Sequence, residues 1–230
     1  EWELRGYYIR VLLTMGIPMG LQYSITAIGS IVLTTAVNGL GSVYVAAQTA
    51  AGRVSCFFCT VYDALGSTMA TYGGQNVGAK KLGRLNKGLK CASIIGTIYS
   101  LVVFVIMFFY GRPFAALFVS SAETEILDAA RLSLVIGTAF YVPLAFVNIV
   151  RFLIQGMGYP MLAIFAGVFE MIGRIAAAVF LVPVFGFTGV CFASPIAWVL
   201  ADAFLFPAYF HVRKKTYQLY HMDPEGPDPE

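Results

Sequence analysis

Long apolar segments alternate with short polar connections along the whole chain. Six of these segments carry few charges, and each is close to the ~20 residues that a helix needs to cross the ~30 Å hydrocarbon layer of a bilayer. They cover residues 11–38, 45–72, 89–110, 126–155, 161–183 and 187–210. The pattern predicts an all-α integral membrane protein, with six transmembrane helices in one unit that covers residues 1–212.

Glycine and proline mark the connections between these segments, as turn chemistry requires. Such connections occur at residues 39–41, 111–113, 156–160 and 183–186. Pro18, Pro143 and Pro195 lie inside segments instead. An interior proline kinks a helix, and a membrane helix tolerates the kink where its neighbours satisfy the freed backbone groups.

The composition agrees with a membrane protein. The chain is 59% hydrophobic and 12% charged, with a mean hydropathy of +0.77, whereas roughly a quarter of the residues of a soluble domain are charged. The net charge of +3 is small, and the basic residues lie in connections rather than on an aromatic face. A nucleic-acid partner is therefore not expected.

The sequence offers little for catalysis or metal binding. Cys56 and Cys59 have redox spacing but lie in an apolar helix, so we interpret them as small buried side chains. His211 and His221 stand near the end of the chain and form no ligand pattern with the cysteines. Without a nucleophile–base arrangement, we expect no enzyme activity, no catalytic residue, no metal and no cofactor.

The lysines predict the orientation in the membrane. All six lie at residues 80–90 or at Lys214 and Lys215, and Arg5 and Arg10 precede the first segment. Six spans place both ends of the chain on one side, and lysine and arginine in short loops mark the cytoplasmic side. We therefore expect a multi-pass protein of the cell membrane with both ends cytoplasmic and a disordered cytoplasmic tail over residues 213–230.

Several short motifs resemble the second half of multidrug and toxic compound extrusion (MATE) transporters. The strongest is the run of residues 64–80, which ends in Gly-Gly-Gln-Asn-Val-Gly-Ala-Lys at residues 73–80. The other motifs occur along the chain in the same order as in that family. They are Gly16-Ile17-Pro18, Asn38-Gly39-Leu40-Gly41, Arg151 with Gln155-Gly156-Met157-Gly158, and Glu170 with Arg174. The family fold has twelve spans in two six-helix lobes, so the chain resembles the C-terminal lobe. Its start without methionine agrees with that interpretation.

The resemblance implies export of cationic or amphipathic compounds in exchange for sodium ions or protons, by two lobes that rock around a central cavity. The implied partners are an N-terminal six-helix lobe, the lipid bilayer and a small organic cation. Many members carry a carboxylate about eight residues after the proline of this lobe's first helix. Because Thr26 stands there, we expect the coupling-ion site to lie in the N-terminal lobe.

Polar residues inside the spans are the candidate site residues, because ionisable groups are costly in a bilayer. We expect Gln22, Tyr23 and Thr26 of the first span to line a substrate cavity, with helix packing as the alternative. Arg53 and Asp63 of the second span are further cavity candidates. They are ten residues apart, or ~15 Å along a helix, and should not pair with each other.

Other polar residues fit structural or gating roles. Glu170 and Arg174 are four residues apart, which predicts mutual neutralisation on one helix face. Arg151 fits an anchor or an interhelical partner, and Asp202 fits a structural hydrogen bond. The remaining two members of this group are Gln75 and Asn76, in the glycine-rich motif at the end of the second span.

Two other classes of function remain open. One is a flippase of the same superfamily, for lipids or lipid-linked glycans. The other is a six-span membrane protein that does not transport, such as a channel or an assembly protein. The sequence leaves the substrate and the coupling ion open.

Overall fold

The computed structural model describes residues 6–120 and 122–220, and this part of the chain is helical throughout with no strand. The helices are α1 (Gly6–Asn38), α2 (Ser42–Gly78), α3 (Gly83–Ala115), α4 (Thr124–Ala139), α5 (Tyr141–Gly156), α6 (Pro160–Ala176), α7 (Val182–Phe185) and α8 (Phe187–Leu219). A short π-helix, Ala177–Leu181, joins α6 to α7. Arg5 and His221, with residues 1–4 and 222–230, lie outside the described residues.

Helix α5 is the centre of the bundle. Val147, Ile149 and Leu153 are almost completely buried, and α5 packs against α2, α3, α6 and α8. Helix α1 lies at the edge, because its contacts are mostly with α6 and only few are with α2 or α8. Since the first and second helices barely touch, a groove remains between α1 and α2.

In the described part of the chain, four segments are long and apolar enough to cross a membrane: Ile9–Asn38, Gly83–Ala115, Pro160–Phe185 and Phe187–Leu219. Helices α4 and α5 pass the same test together but are bent by 51° between them, as in a broken span or a re-entrant loop. The sequence predicted a span over residues 126–155 with Pro143 inside it, and the structure breaks this segment into two helices at Phe140. Phe140 leaves the helical backbone at the bend, three residues before Pro143. Proline has no amide hydrogen for an interior helical bond, so a break here costs little. Helix α2 is not among the apolar spans.

Two other irregularities have sequence causes. The π-helix at residues 177–181 ends two residues before Pro183, which cannot donate a hydrogen bond back along the helix. At the other end, α8 runs to Leu219. Residues 213–219 of the predicted disordered tail are therefore helical, because Val212, Thr216 and Tyr217 are buried against the bundle. Residues 221–230 of that tail lie outside the described part.

Glycine lets helices approach closely where the bundle is tightest. A Cβ atom on Gly173 of α6 would lie 2.7 Å from Ala197 Cα of α8. Small residues at such crossings let membrane helices pack backbone against backbone. Gly137 of α4 is a contrast, since a Cβ there would meet nothing within 4 Å.

We expect Gly173→Ala to destabilise the protein, because the added methyl group forces α6 and α8 apart. Gly137→Ala is the matched control, and it should leave stability unchanged or raise it by up to ~1 kcal/mol through better helix propensity. Thermal unfolding of both variants in detergent measures the difference. Equal unfolding temperatures for the two variants would contradict the close crossing.

Candidate functional site

A row of polar side chains runs along one face of α2. We call it the α2 stripe, and its members are Thr49, Arg53, Thr60, Asp63, Ser67, Thr71 and Gln75, all exposed. Successive members are three, four or seven residues apart, which keeps them on one face of a 3.6-residue helix. The row extends over about 39 Å, from 26 residues at 1.5 Å each.

The opposite face of α2 is buried in the lobe. It consists of small and apolar residues such as Ala47, Ala50, Val54 and Met69, together with the fully buried Tyr62. Helix α2 is therefore amphipathic within an otherwise apolar bundle. The stripe explains why α2 is not among the apolar spans, and it needs water or a polar partner rather than lipid.

Hydroxyl groups of the stripe donate their hydrogens to their own helix. Thr49 donates to the Val45 carbonyl at 2.8 Å, Thr60 to the Phe57 carbonyl at 2.7 Å, and Thr71 to the Ser67 carbonyl at 3.1 Å. A hydroxyl that has used its hydrogen can only accept further bonds. The stripe therefore presents mainly oxygen acceptors to whatever faces it.

Asp63 stands in the middle of this row and Arg53 nearer one end. They do not pair, which confirms the prediction from their spacing, and in residues 6–120 and 122–220 neither has an ion-pair partner. Both side chains are exposed. Each is therefore free to contact a ligand or a second protein surface.

A polar cleft of about 330 Å³ continues the stripe into the groove between α1 and α2. Its polar lining consists of Ser30, Thr34, Asn38, Gln48, Thr49, Arg174 and Ser194. On the α1 side, Ser30 and Thr34 donate to the carbonyls of Thr26 and Ser30 at 3.3 and 2.9 Å. The α1 side of the cleft therefore also presents hydroxyl oxygens as hydrogen-bond acceptors, as the α2 stripe does.

Beneath the cleft lies a buried charge cluster of Arg151, Glu170, Arg174 and Asp202. Glu170 accepts from Arg151 through one carboxylate oxygen and from Arg174 Nη2 at 3.3 Å through the other. The predicted contact between Glu170 and Arg174 is confirmed, and the interhelical partner of Arg151 is Glu170. Asp202 is 8% exposed and lies within electrostatic reach of Arg151 and Glu170.

Two cations and two anions balance this cluster when all four groups are ionised. Within the described chain, Asp202 Oδ1 and Arg151 Nε are buried without a hydrogen-bond partner. Such groups in a protein interior are costly unless water or an ion satisfies them. The cluster therefore has room for further polar bonding around Asp202, where a simple structural hydrogen bond was predicted.

Arg174 connects the buried charge cluster to the cleft. Its Nη1 donates to the backbone carbonyl of Thr26 at 3.1 Å, and the side chain forms part of the cleft wall. One guanidinium therefore contacts Glu170 inside the lobe, the backbone of α1 and the open cleft. Among the described residues that line the cleft, Arg174 alone is charged.

For Gln22 and Thr26 the structure favours the packing alternative over cavity lining. Gln22 is 2% exposed, and its Oε1 accepts from Gln155 Nε2 at 2.8 Å. The hydroxyl of Thr26 is also buried. Both side chains face α5 and α6 because Gly167 opens room for them, so they belong to helix packing. Tyr23 is 59% exposed, on a different face of α1.

Gln75 and Asn76 lie at the last turn of α2. Asn76 is buried and its Nδ2 donates to the Tyr72 carbonyl at 2.8 Å, while its backbone carbonyl accepts from the Lys81 amide at 2.8 Å. It therefore helps to close the helix. Gln75 is exposed and forms the end of the α2 stripe.

Sequence reasoning missed the hydroxyl-bearing members of the stripe. Thr49, Thr60, Ser67 and Thr71 recur at helical spacing with Arg53 and Asp63, but only Arg53, Asp63 and Gln75 of this row were predicted as site residues. The signal was present in the polar periodicity of the second span.

Comparison with known proteins assigns the chain to a family. The MatE family model matches residues 18–180, so the chain belongs to the MatE family. A comparison with curated proteins finds no match.

Solved structures of MATE transporters share the fold. An outward-facing multidrug resistance MATE family transporter of the MOP superfamily matches with a TM-score of 0.80 and 19% identity, over 94% of this chain and 48% of that one. The Vibrio cholerae transporter VcmN in its bent form matches with a TM-score of 0.82 and 18% identity, over 94% and 49%.

A MOP superfamily transporter from Pyrococcus furiosus, described as having a binding pocket of reverse polarity, matches with a TM-score of 0.71 and 19% identity, over 88% and 45%. The chain thus spans about half the length of the solved structures that it matches. It has the fold of one lobe of a two-lobe transporter, and its family consists of membrane transporters.

The buried charge cluster generates a stability prediction. Glu170→Ala and Arg174→Ala should each lower the free energy of unfolding by about 3 kcal/mol or more, because each leaves buried charge without its counter-ion. The decrease in the free energy of unfolding should be smaller in the double variant than the sum of the decreases in the two single variants, since the charges are lost together. Thermal or denaturant unfolding in detergent measures all three.

The exposed pair of Arg112 and Asp128, at 3.4 Å, is the matched control. Asp128→Ala should change stability by no more than about 1 kcal/mol. Additive effects of Glu170→Ala and Arg174→Ala would show that the two residues act independently.

Proposed function

We propose that this chain forms one lobe of a secondary transporter that exports cationic or amphipathic organic compounds in exchange for sodium ions or protons. The observation that carries the proposal is the α2 stripe: a row of polar side chains along a membrane helix, continuous with a polar cleft. A face of this kind fits a water-filled path between two lobes. Alternating access in such transporters is the rocking of two repeats around a shared site.

The chemistry of the stripe favours a cationic substrate. The hydroxyl hydrogens are used within the helices, so Thr49, Thr60 and Thr71 offer oxygen acceptors. Asp63 adds a carboxylate without a counter-ion in the described chain. An organic cation with apolar groups would combine contact to these oxygens with contact to neighbouring apolar side chains, such as the exposed Phe57.

A second six-helix lobe is the proposed partner that completes the path, because the chain spans about half of the MATE structures that it matches. We place the coupling ion in that other lobe. In support, the position of the expected carboxylate in α1 is Thr26, whose hydroxyl is buried. The acids Glu170 and Asp202 lie within the buried charge cluster.

The test is transport by reconstituted protein. The chain alone, in vesicles with a sodium or proton gradient, should not move a cationic dye, since the path lacks its opposite wall. The chain joined to the lobe that completes it should do so. Asp63→Asn in the joined protein should weaken dye transport about tenfold, as the loss of one ionic contact predicts.

Asp128→Asn is the control for this test, because it removes an exposed carboxylate at the end of the bundle. It should leave transport unchanged. Gradient-driven dye movement by the chain alone would refute the two-lobe proposal. Undiminished transport by Asp63→Asn would show that the stripe is not part of the substrate path.

Arg53 and Arg174 support a second candidate, a flippase for anionic lipids or lipid-linked glycans. Arg53 is exposed on the stripe, whereas Arg174 is largely buried but forms part of the cleft wall. Guanidinium groups bind phosphate well. If the protein is a flippase, Arg53→Gln in the joined protein should impair the movement of a fluorescent anionic lipid. If the export proposal holds, only dye movement should depend strongly on Asp63.

We also propose that the protein resides in the cell membrane with the lysines in the cytoplasm. Single cysteines at Lys87 and Glu125, in a background without the four native cysteines, test this on intact cells with an impermeant thiol reagent. Both positions are exposed, near the starts of α3 and α4 at opposite ends of the bundle. We expect labelling at residue 125 and none at residue 87, and the reverse pattern would overturn the orientation.

A further inference from the structure

One end of the bundle gathers positive charge from separate parts of the chain. We call it the basic end, and it comprises Lys80, Lys81, Arg84, Lys87, Lys90, Arg213, Lys214 and Lys215. The acids of the described chain lie elsewhere: Asp63, Glu170 and Asp202 within the helices, and Glu123, Glu125 and Asp128 around the start of α4. The basic end is therefore not neutralised by the described part of the protein.

The fold builds this surface by direct contacts between the start of α3 and the end of α8. The Asn86 amide, oriented to suit both neighbours, donates to Tyr209 Oη at 2.9 Å and accepts from Arg213 Nη2 at 3.0 Å. Arg213 also lies over the ring of Tyr217, with 5.4 Å between its guanidinium carbon and the ring centre. Arg213 is thus held in place between two elements.

Two exposed lysines stand over aromatic rings in the same region. Lys80 Nζ is 6.0 Å from the ring centre of Tyr220, and Lys215 Nζ is 5.5 Å from that of Tyr159, in the α5–α6 turn. The α2–α3 turn, the α5–α6 turn and the end of α8 therefore converge here. Tyrosine beside lysine at the end of a helix bundle is the composition found at the headgroup level of a bilayer.

The backbone of Lys80 provides an independent observation. Its φ is +58°, the only positive φ of a non-glycine residue in the described chain. It follows the end of α2, where the Lys81 amide bonds back to the Asn76 carbonyl at 2.8 Å, and glycine is the usual residue in this left-handed position. A strained lysine in a place suited to glycine indicates that its side chain is needed there.

We propose that the basic end binds the phosphate headgroup of an anionic phospholipid, with Lys80 and Lys215 as its main contacts and Arg213 as the residue that holds the two elements together. Clustered cations at the ends of membrane helices attract anionic headgroups. The alternative is that these cations only fix the orientation of the chain. The two explanations differ for purified protein, where insertion is already complete.

The experiment measures the unfolding temperature of the purified full chain in neutral detergent as lipid is added. Phosphatidylglycerol should raise it saturably, and the rise should fade at high salt because the contacts are ionic. Phosphatidylcholine should raise it less, and inorganic phosphate at the same concentration should not raise it. Equal shifts with both lipids, or the full shift with inorganic phosphate, would overturn the proposal.

Lys80→Gly separates binding from folding. Glycine suits a φ of +58°, so this variant should be at least as stable as the parent without lipid, yet need about fivefold more phosphatidylglycerol for half of its shift. Lys215→Gln should weaken the response similarly, and the two changes together should nearly abolish it. Arg112→Gln, which removes one cation at the other end of the bundle, is the matched control and should keep the parent midpoint.

An unchanged midpoint in the Lys80→Gly, Lys215→Gln double variant would refute the proposal. So would a lipid response that appears only after residues 221–230 are removed. That outcome would show that the cations of the basic end pair with the four acids of that segment rather than with lipid.

Discussion

The position of Glu170 between two arginines is the interaction on which the rest of the lobe depends. Arg151 comes from the central helix α5 and Arg174 from α6, so one carboxylate ties these two helices together. Arg174 then reaches the backbone of α1 at Thr26. Because α1 packs mainly on α6, its place opposite α2 depends on how α6 is anchored to α5, and so does the cleft between α1 and α2.

Polar residues in this lobe therefore divide into two groups with opposite requirements. Members of the first group, such as Glu170 and Gln22, are buried and bonded to one another, since an unpaired polar group in the interior is costly. Members of the second group, such as Asp63 and Arg53, are exposed and unpaired within the described chain. The first group builds the lobe, and the second is available to a ligand or a second lobe.

Much of the fold could be predicted from the sequence, because apolar segments of membrane length and glycine-rich connections are strong signals. Pro143 indicated a kink in the fourth span, but not a break of the helix at Phe140, three residues earlier. For Gln22 the sequence left cavity lining and helix packing both open. The burial of Gln22 depends on Gly167, which is far away in sequence, and periodicity within a single helix carries no information about that neighbour.

The equal number of cations and anions in the buried charge cluster has an electrical consequence. A membrane potential does work on net charge that moves through it, about 2.3 kcal/mol per elementary charge for each 100 mV. With Arg151, Glu170, Arg174 and Asp202 all ionised, a tilt of the lobe carries no net charge from the cluster across this field. The potential then acts on the unpaired charges of the α2 stripe and on whatever ion or substrate occupies the cleft.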